Sequence, residues 1–259
     1  MARADKGFVA DLVRPFDAFF VFVGEISILL ADAIKRLFTS RFEVKETLSQ
    51  MAFVGVNSIP IVVLTGFFSG AVLSLYISTF LLQYGATTFV GATVSLSMTR
   101  EIGPVLAGIM VSARCGSAMA AQIGTMAVTE QIDALKMLSV HPTNYLVVPR
   151  VVAAVLMMPI LGLACVWAGS FGGWLVAVNE GVPSGAYLTS VSQYTQPSDI
   201  LGGLYKAPFF GIIIALVACQ QGMATKNGAV GVGRSTTNTV VISMVLVYVA
   251  NFILARMMN

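Results

Sequence analysis

Charged residues fence this chain into long apolar runs, and the length of each run sets the element it predicts. A membrane-spanning helix needs about 20 mostly apolar residues. The 53 residues from Thr47 to Thr99 carry no charge, enough for one span and much of a second. Gln83, Tyr84 and Gly85 form a turn between them, which places span one near 52–82 and span two near 88–113. Arg114 to Arg150 is more polar, and its uncharged stretch 115–129 has only 15 residues, too few to cross comfortably. Span three falls near 151–178. Residues 179–199 form a loop containing Pro183, Pro197 and two acids. Span four falls near 200–223 and holds Lys206, residues 224–234 make a basic, Gly-rich loop, and span five is the uncharged run 235–255.

Two further segments read as amphipathic. Residues 8–38 are apolar but interrupted by Asp11, Asp17, Glu25, Asp32, Lys35 and Arg36, spaced to stay near one helical face. The run from Ala18 to Gly24 is seven residues, so this helix lies in the membrane interface rather than across it. Packing on a partner protein would leave the same pattern. In 125–142, Val128, Ile132, Leu135 and Leu138 form an apolar stripe beside charged Glu130, Asp133 and Lys136. Pro142 is expected to stop that helix. Such a helix serves either as a docking knob for a soluble partner or as an interfacial element.

Composition agrees: 57% of residues are hydrophobic and 10% charged, against roughly 25% charged in a soluble domain. The fold expected is an all-α integral membrane protein, with an N-terminal interfacial region (1–46) and a transmembrane domain (47–259). Of the 15 Lys and Arg, 12 fall in residues 1–46, 114–150 and 224–234, and only Arg256 falls on the other side. By the positive-inside rule the N-terminus is cytoplasmic and the C-terminus lies across the membrane. Asp5, Asp11 and Asp17 break up any cleavable signal peptide. The net charge of +3 gives no footprint for nucleic acid.

Candidate chemistry is sparse. Cys115, Cys165 and Cys219 all lie in apolar stretches and read as packing residues rather than a disulfide framework. His141, the single histidine, sits before Pro142 and supports neither a metal site nor a serine hydrolase. No catalytic residue and no metal is expected. The string GAVGVGRS (228–235) imitates a P-loop, but Arg234 stands where lysine is required and no βαβ context surrounds it. A flexible loop is the reading there.

Arg100 and Glu101 stand out, because ionisable groups inside a span are costly and mark a pathway or a pair. Adjacent helical residues diverge by about 100°, so each needs another partner. Lys206, the other charge within a span, is the natural partner for Glu101. A buried structural ion pair and a polar site in a water-accessible cavity both satisfy this pattern. Pro104 can break the helix beside the charges. Small residues at Gly108, Ser112, Gly116, Ala120 and Gly124, and the pairs Gly66/Gly70 and Gly169/Gly173, predict close helix packing.

Three strings then carry a resemblance. TREIGPVLAG (99–108), EQIDALKMLSVHPTNYLVVPR (130–150) and GVGRSTTNTVV (231–241) resemble, in order, signatures of the MlaE-type permease family, the membrane subunits of ABC transporters that work with MCE proteins. The similarity runs from about residue 45 to the end. It implies transport of phospholipids or related lipids between the inner membrane and the outer envelope. It implies a homodimer, two copies of a separate ATPase that binds the ATP, an MCE-domain ring on the far side and, in some systems, a small STAS-domain protein. It implies no cofactor on this chain. It implies that Glu130, Ile132, Asp133, Leu135, Lys136 and Leu138, within a helix near 128–139, couple to the ATPase. It implies that Arg100, Glu101, Lys206 and Tyr84 belong to a lipid cavity between protomers. The sequence departs from the family pattern at Ser139 and His141, where Gly and Asp are expected. Beside this reading stand a stand-alone secondary transporter relaying ions through Arg100, Glu101 and Lys206, and a non-transporting scaffold.

Overall fold

The computed structural model describes residues 4–39 and 43–258, which are helical throughout apart from short connections. Among the described residues, five segments are long and apolar enough to cross a membrane: Val44–Gln83, Thr87–Val128, Thr143–Asn179, Pro197–Met223 and Gly228–Met258. The chain is a multi-pass helical membrane protein, with the number of spans that the charge spacing implies.

The spans are longer than the uncharged runs because their ends include charged residues. The first joins α2 (Val44–Val54) to α3 (Ile59–Gln83) through a 3-10 turn at Val56–Ser58. The second is composite: α4 (Val90–Ser97), α5 (Gly103–Val111) and α6 (Ser117–Val128) are linked by π-turns at Met98–Ile102 and Ser112–Gly116. The short uncharged run after Arg114 is therefore no separate segment; through Val128 it completes span two, with Arg114 inside it. Arg114 stays there because its Nη1 donates to Ser58 Oγ at 3.2 Å and its guanidinium lies 6.0 Å from the Phe53 ring centre. The third span is α8 (Val148–Asn179), opened by a π-turn at Thr143–Val147. The basic loop is shorter than its composition suggests: only Ala224–Asn227 separate α10 (Pro197–Met223) from α11 (Gly228–Met258). The P-loop-like string is the opening of α11, and no strand precedes it among the described residues.

The small residues act as expected in lipid, where close backbone approach replaces the hydrophobic drive. Gly66 and Gly70 of α3 lie against the backbone of Cys165 and Gly169 of α8, so a Cβ at Gly70 would collide with the Gly169 carbonyl. Ser74 donates to Gly173 O at 2.7 Å one turn further on. The ladder on span two wedges between α10 and α11: Gly108 faces Phe210 and Val247, Gly116 faces Ile214 and Thr239, and Gly124 faces Thr225 and Ser235. The three cysteines are buried and free.

The N-terminal segment is one helix, α1 (Ala4–Thr39). The side chains of Asp11 and Asp17 lie outside the described residues. Further on, Ile26, Leu29, Leu30 and Ala33 join one apolar cluster with Val148, Val151 and Val152 of α8 and Leu216 and Cys219 of α10, while Phe20, Ile28 and Phe38 stay exposed. Glu25 accepts a 2.6 Å hydrogen bond from Gln220 of α10. Burial would raise the Asp32 carboxyl, but hydrogen bonds from Arg36 and Thr143 and the Arg36 charge outweigh it and hold it below its usual range. The helix is thus seated on the transmembrane body with one apolar flank uncovered.

At the end of the body where α1 seats, α6 and α8 are joined through α7 (Gln131–Met137). At the other end, α8 and α10 are joined through α9 (Ser184–Tyr194). The prolines and acids of 179–199 predict a loop, but its centre is helical. Its Tyr187 is buried, and burial pushes its phenol up to about 12.

Candidate functional site

Pro104 organises the site. A proline has no N–H, so the carbonyl four residues earlier, that of Arg100, loses its helical partner. The chain responds with the π-turn at Met98–Ile102, closed by Gly103 N–H donating to Met98 O. Pro104 thus loosens the helix locally without ending it. The freed Arg100 carbonyl accepts a 3.0 Å hydrogen bond from Lys206 Nζ of α10. The same ammonium donates to Glu101 Oε1 at 2.7 Å. Glu101 Oε2 accepts from Asn251 Nδ2 of α11, also at 2.7 Å. Lys206 is only 3% exposed, and two oxygen partners receive its Nζ.

Arg100 turns the other way. Its Nε donates to Asp199 Oδ1 at 2.8 Å, and Nη2 donates to the same oxygen. Asp199 sits in the first turn of α10, where its Oδ2 accepts the Gln196 N–H at 2.8 Å in a capping box. The positive end of α10 adds to that stabilisation. Asp199 is buried, whereas the Arg100 side chain is 53% exposed. Together Arg100, Glu101, Asp199 and Lys206 line a cavity of about 250 Å³ with Ser198, Gly202 and Met258. Two cations and two anions balance, and the Arg100 guanidinium, bound to Asp199 through Nε and Nη2, stays half exposed.

The expected Glu101–Lys206 pair is present. Asp199, Ser198, Asn251 and Met258 were not anticipated. The charge spacing places Asp199 in a loop, although Gln196-Pro197-Ser198-Asp199 carries a helix-start signal: proline at the first position and an acid two residues later. Tyr84 is not brought into this cavity. It caps α3, is exposed, and its ring packs on Phe80 at 5.0 Å.

The coupling candidates sit at the opposite end of the molecule. The helix is shorter than 128–139: Val128 ends α6, Glu130 turns with φ 59°, and α7 covers only Gln131–Met137. Pro142 does not stop it; the helix has already ended, and Pro142 opens the segment leading to α8. Ile132 and Leu135 pack inward near Ile123, Leu146 and Val147. Leu138 departs from that stripe and is exposed with Met137, at 74% and 87%. Asp133 and Lys136 pair at 2.7 Å on the surface. His141 is exposed, and among the described residues no cluster could hold a metal ion.

Comparison with known proteins agrees with this architecture. The profile of the Permease MlaE family matches residues 47–257. A probable ABC transporter permease protein of Rickettsia felis is 43% identical over 236 residues, covering 91% of each chain. A probable ABC transporter permease protein of Synechocystis is 42% identical over 235 residues, covering 89% of this chain and 88% of that one. The chloroplastic protein TRIGALACTOSYLDIACYLGLYCEROL 1 of Arabidopsis thaliana is 33% identical over 231 residues, covering 89% of this chain and 66% of that one. The chain therefore belongs to the MlaE permease family, as the membrane-spanning, non-enzymatic permease component of an ABC transporter, a class that implies an ATPase partner.

Proposed function

We propose that this permease moves phospholipids between the inner membrane and the outer envelope, as a homodimer driven by two copies of the ATPase that binds the ATP. The observation that carries the reading is the charged cavity: a half-exposed Arg100 beside a buried Lys206 that pairs with a part-exposed Glu101, within a mostly apolar body. Its residues suit an amphiphile with an anionic headgroup. The Arabidopsis relative, whose name is that of a galactolipid, supports a lipid cargo. No cofactor on this chain is needed for such work.

The two ends of the molecule fit the direction of the basic residues. The α7 end carries most of the Lys and Arg and faces the cytoplasm in this reading, with the exposed Met137 and Leu138 offered to the ATPase. The cavity opens beside the start of α10 and Met258 near the C-terminus, on the periplasmic side. There an MCE-domain protein takes up or delivers lipid, and a STAS-domain protein belongs to the cytoplasmic assembly. Exposed apolar rows on α3 (Leu64, Phe68, Val72) and α11 (Val245, Phe252) supply lipid-facing and protomer-facing surface.

The test is ATP-driven phospholipid transfer from proteoliposomes containing the permease and its ATPase. Glu101→Ala and Lys206→Ala are expected to lower transfer while the complex still assembles. Wild-type transfer by both variants would remove the cavity from the mechanism. Transfer that follows an ion gradient without any ATPase would favour a relay through the same charges.

A further inference from the structure

A second cavity is larger than the charged one. A groove of about 510 Å³ runs along the flank of α8, roofed by α9 and closed at one end by α4 and the start of α10. Its volume falls in the range of roughly 300–1,000 Å³ typical of ligand sites. Its wall is a helical stripe of Trp167, Ser170, Phe171 and Trp174 facing Leu188 and Val191. Phe171 and Trp174 hold each other at 5.8 Å, and Trp174 Nε1 is satisfied by Ser184 Oγ at 3.1 Å. The aromatic surface is therefore set in place and offers hydrocarbon contact rather than hydrogen bonds. Trp167 is 77% exposed, so the groove is open on its outer side, where the bilayer lies.

What occupies it follows from what adjoins it. Thr99 lines the groove and the next residue, Arg100, lines the charged cavity; Ile200 lines the groove and the preceding Asp199 lines the cavity. Thr195 borders the groove and Ser198 the cavity. The ridge between them is thus the Thr195–Gln196 connection and the first turn of α10, with hydroxyls along its groove side where Thr195 donates to Ser95 Oγ at 3.2 Å. An apolar groove and an open guanidinium lie on either side of one helical turn. The matching molecule has an anionic head and a hydrocarbon tail.

Resting on the phospholipid reading above, we propose that this groove holds an acyl chain of an anionic phospholipid drawn sideways from the bilayer, with its phosphate at Arg100. Lipid then reaches the charged cavity over the start of α10, from within the membrane. Ile200 and Thr195 form the sill it crosses.

Both tryptophans of the chain line the groove, so intrinsic fluorescence reads its occupancy. The experiment uses the full chain in phosphatidylcholine nanodiscs, with phosphatidylglycerol carrying brominated acyl chains as quencher. Quenching is expected to saturate at a low mole fraction, and at a lower one than for brominated phosphatidylcholine. Arg100→Gln should raise the half-quenching fraction roughly tenfold, the loss of about one charge-assisted hydrogen bond. Ser170→Leu should fill the groove and abolish the saturable component. Leu188→Lys, at an exposed position of α9, should do so by placing a charge at its mouth. Quenching that rises in proportion to brominated lipid, unchanged in all three variants, would overturn the proposal and leave an ordinary lipid-facing surface. Saturable quenching that vanishes when a partner's transmembrane segment is bound would also overturn it, by assigning the groove to a protein helix. The ATP-driven transfer assay separates the two readings: transfer with proportional quenching removes the groove alone, and saturable quenching without transfer keeps the groove while removing the cargo.

Discussion

The Lys206–Glu101 pair allows a quantitative test of what holds the cavity together. Lys206 is 3% exposed, whereas the Glu101 side chain is 41% exposed. The two partners should therefore be unequal when removed. Glu101→Ala leaves a buried ammonium with only the Arg100 carbonyl. Breaking a fully buried pair costs about 3–5 kcal/mol, and solvent at the glutamate reduces this to about 2–3 kcal/mol. Lys206→Met removes the charge that needed burial and keeps most of the apolar stem. It leaves Glu101 facing solvent and Asn251, at a cost of about 1 kcal/mol. The double variant has no stranded charge and should also cost about 1 kcal/mol, so the coupling is about 2 kcal/mol or more. Unfolding of the four proteins in mild detergent, titrated with a denaturing detergent, measures the cycle, with lipid transfer measured in parallel. If Lys206→Met proves as costly as Glu101→Ala and the two costs add in the double variant, the ammonium is not held in a dry site and the reasoning fails.

Three further outcomes are expected. Pro104→Ala restores an N–H that competes with Lys206 for the Arg100 carbonyl, so lipid transfer should fall severalfold while thermal stability holds or rises; unchanged transfer would show that the π-turn is incidental. Leu138→Asp, at an exposed position beyond α7, should weaken ATPase co-purification at least tenfold with a stability change within about 0.5 kcal/mol, whereas Leu135→Asp should destabilise the chain itself because Leu135 packs inward; equal retention of the ATPase by Leu138→Asp and wild type would remove that surface from the contact. Gly70→Val should cost about 2–3 kcal/mol in the same detergent unfolding assay, because its side chain meets the Gly169 backbone, and a neutral result would mean that α3 and α8 are not locked at this crossing.

Much of the architecture was legible because lipid imposes simple rules. The charges that interrupt the apolar runs bounded the spans. Glycine spacing at Gly66/Gly70 and Gly169/Gly173 marked the helix faces that meet. Boundaries were less legible, since a helix continues through an arginine whenever a neighbour receives the charge, as Ser58 and Phe53 do for Arg114. The short α7 illustrates a second limit: its apolar stripe was visible, but whether Leu138 followed it inward depended on where the helix ended.

Sequence alone determined the class of the molecule, its five spans and the pairing of Lys206 with Glu101, because a charge inside a span needs an opposite charge and few were available. Tertiary structure alone decided that Asp199 takes Arg100, that Asn251 completes Glu101, that Tyr84 stands apart from the cavity and that both tryptophans share one groove. Those relations join residues up to 150 positions apart. They arise from the crossings of α4, α8, α10 and α11, which depend on how small-residue faces seat against one another in three dimensions, and local hydrophobic periodicity carries no record of that seating.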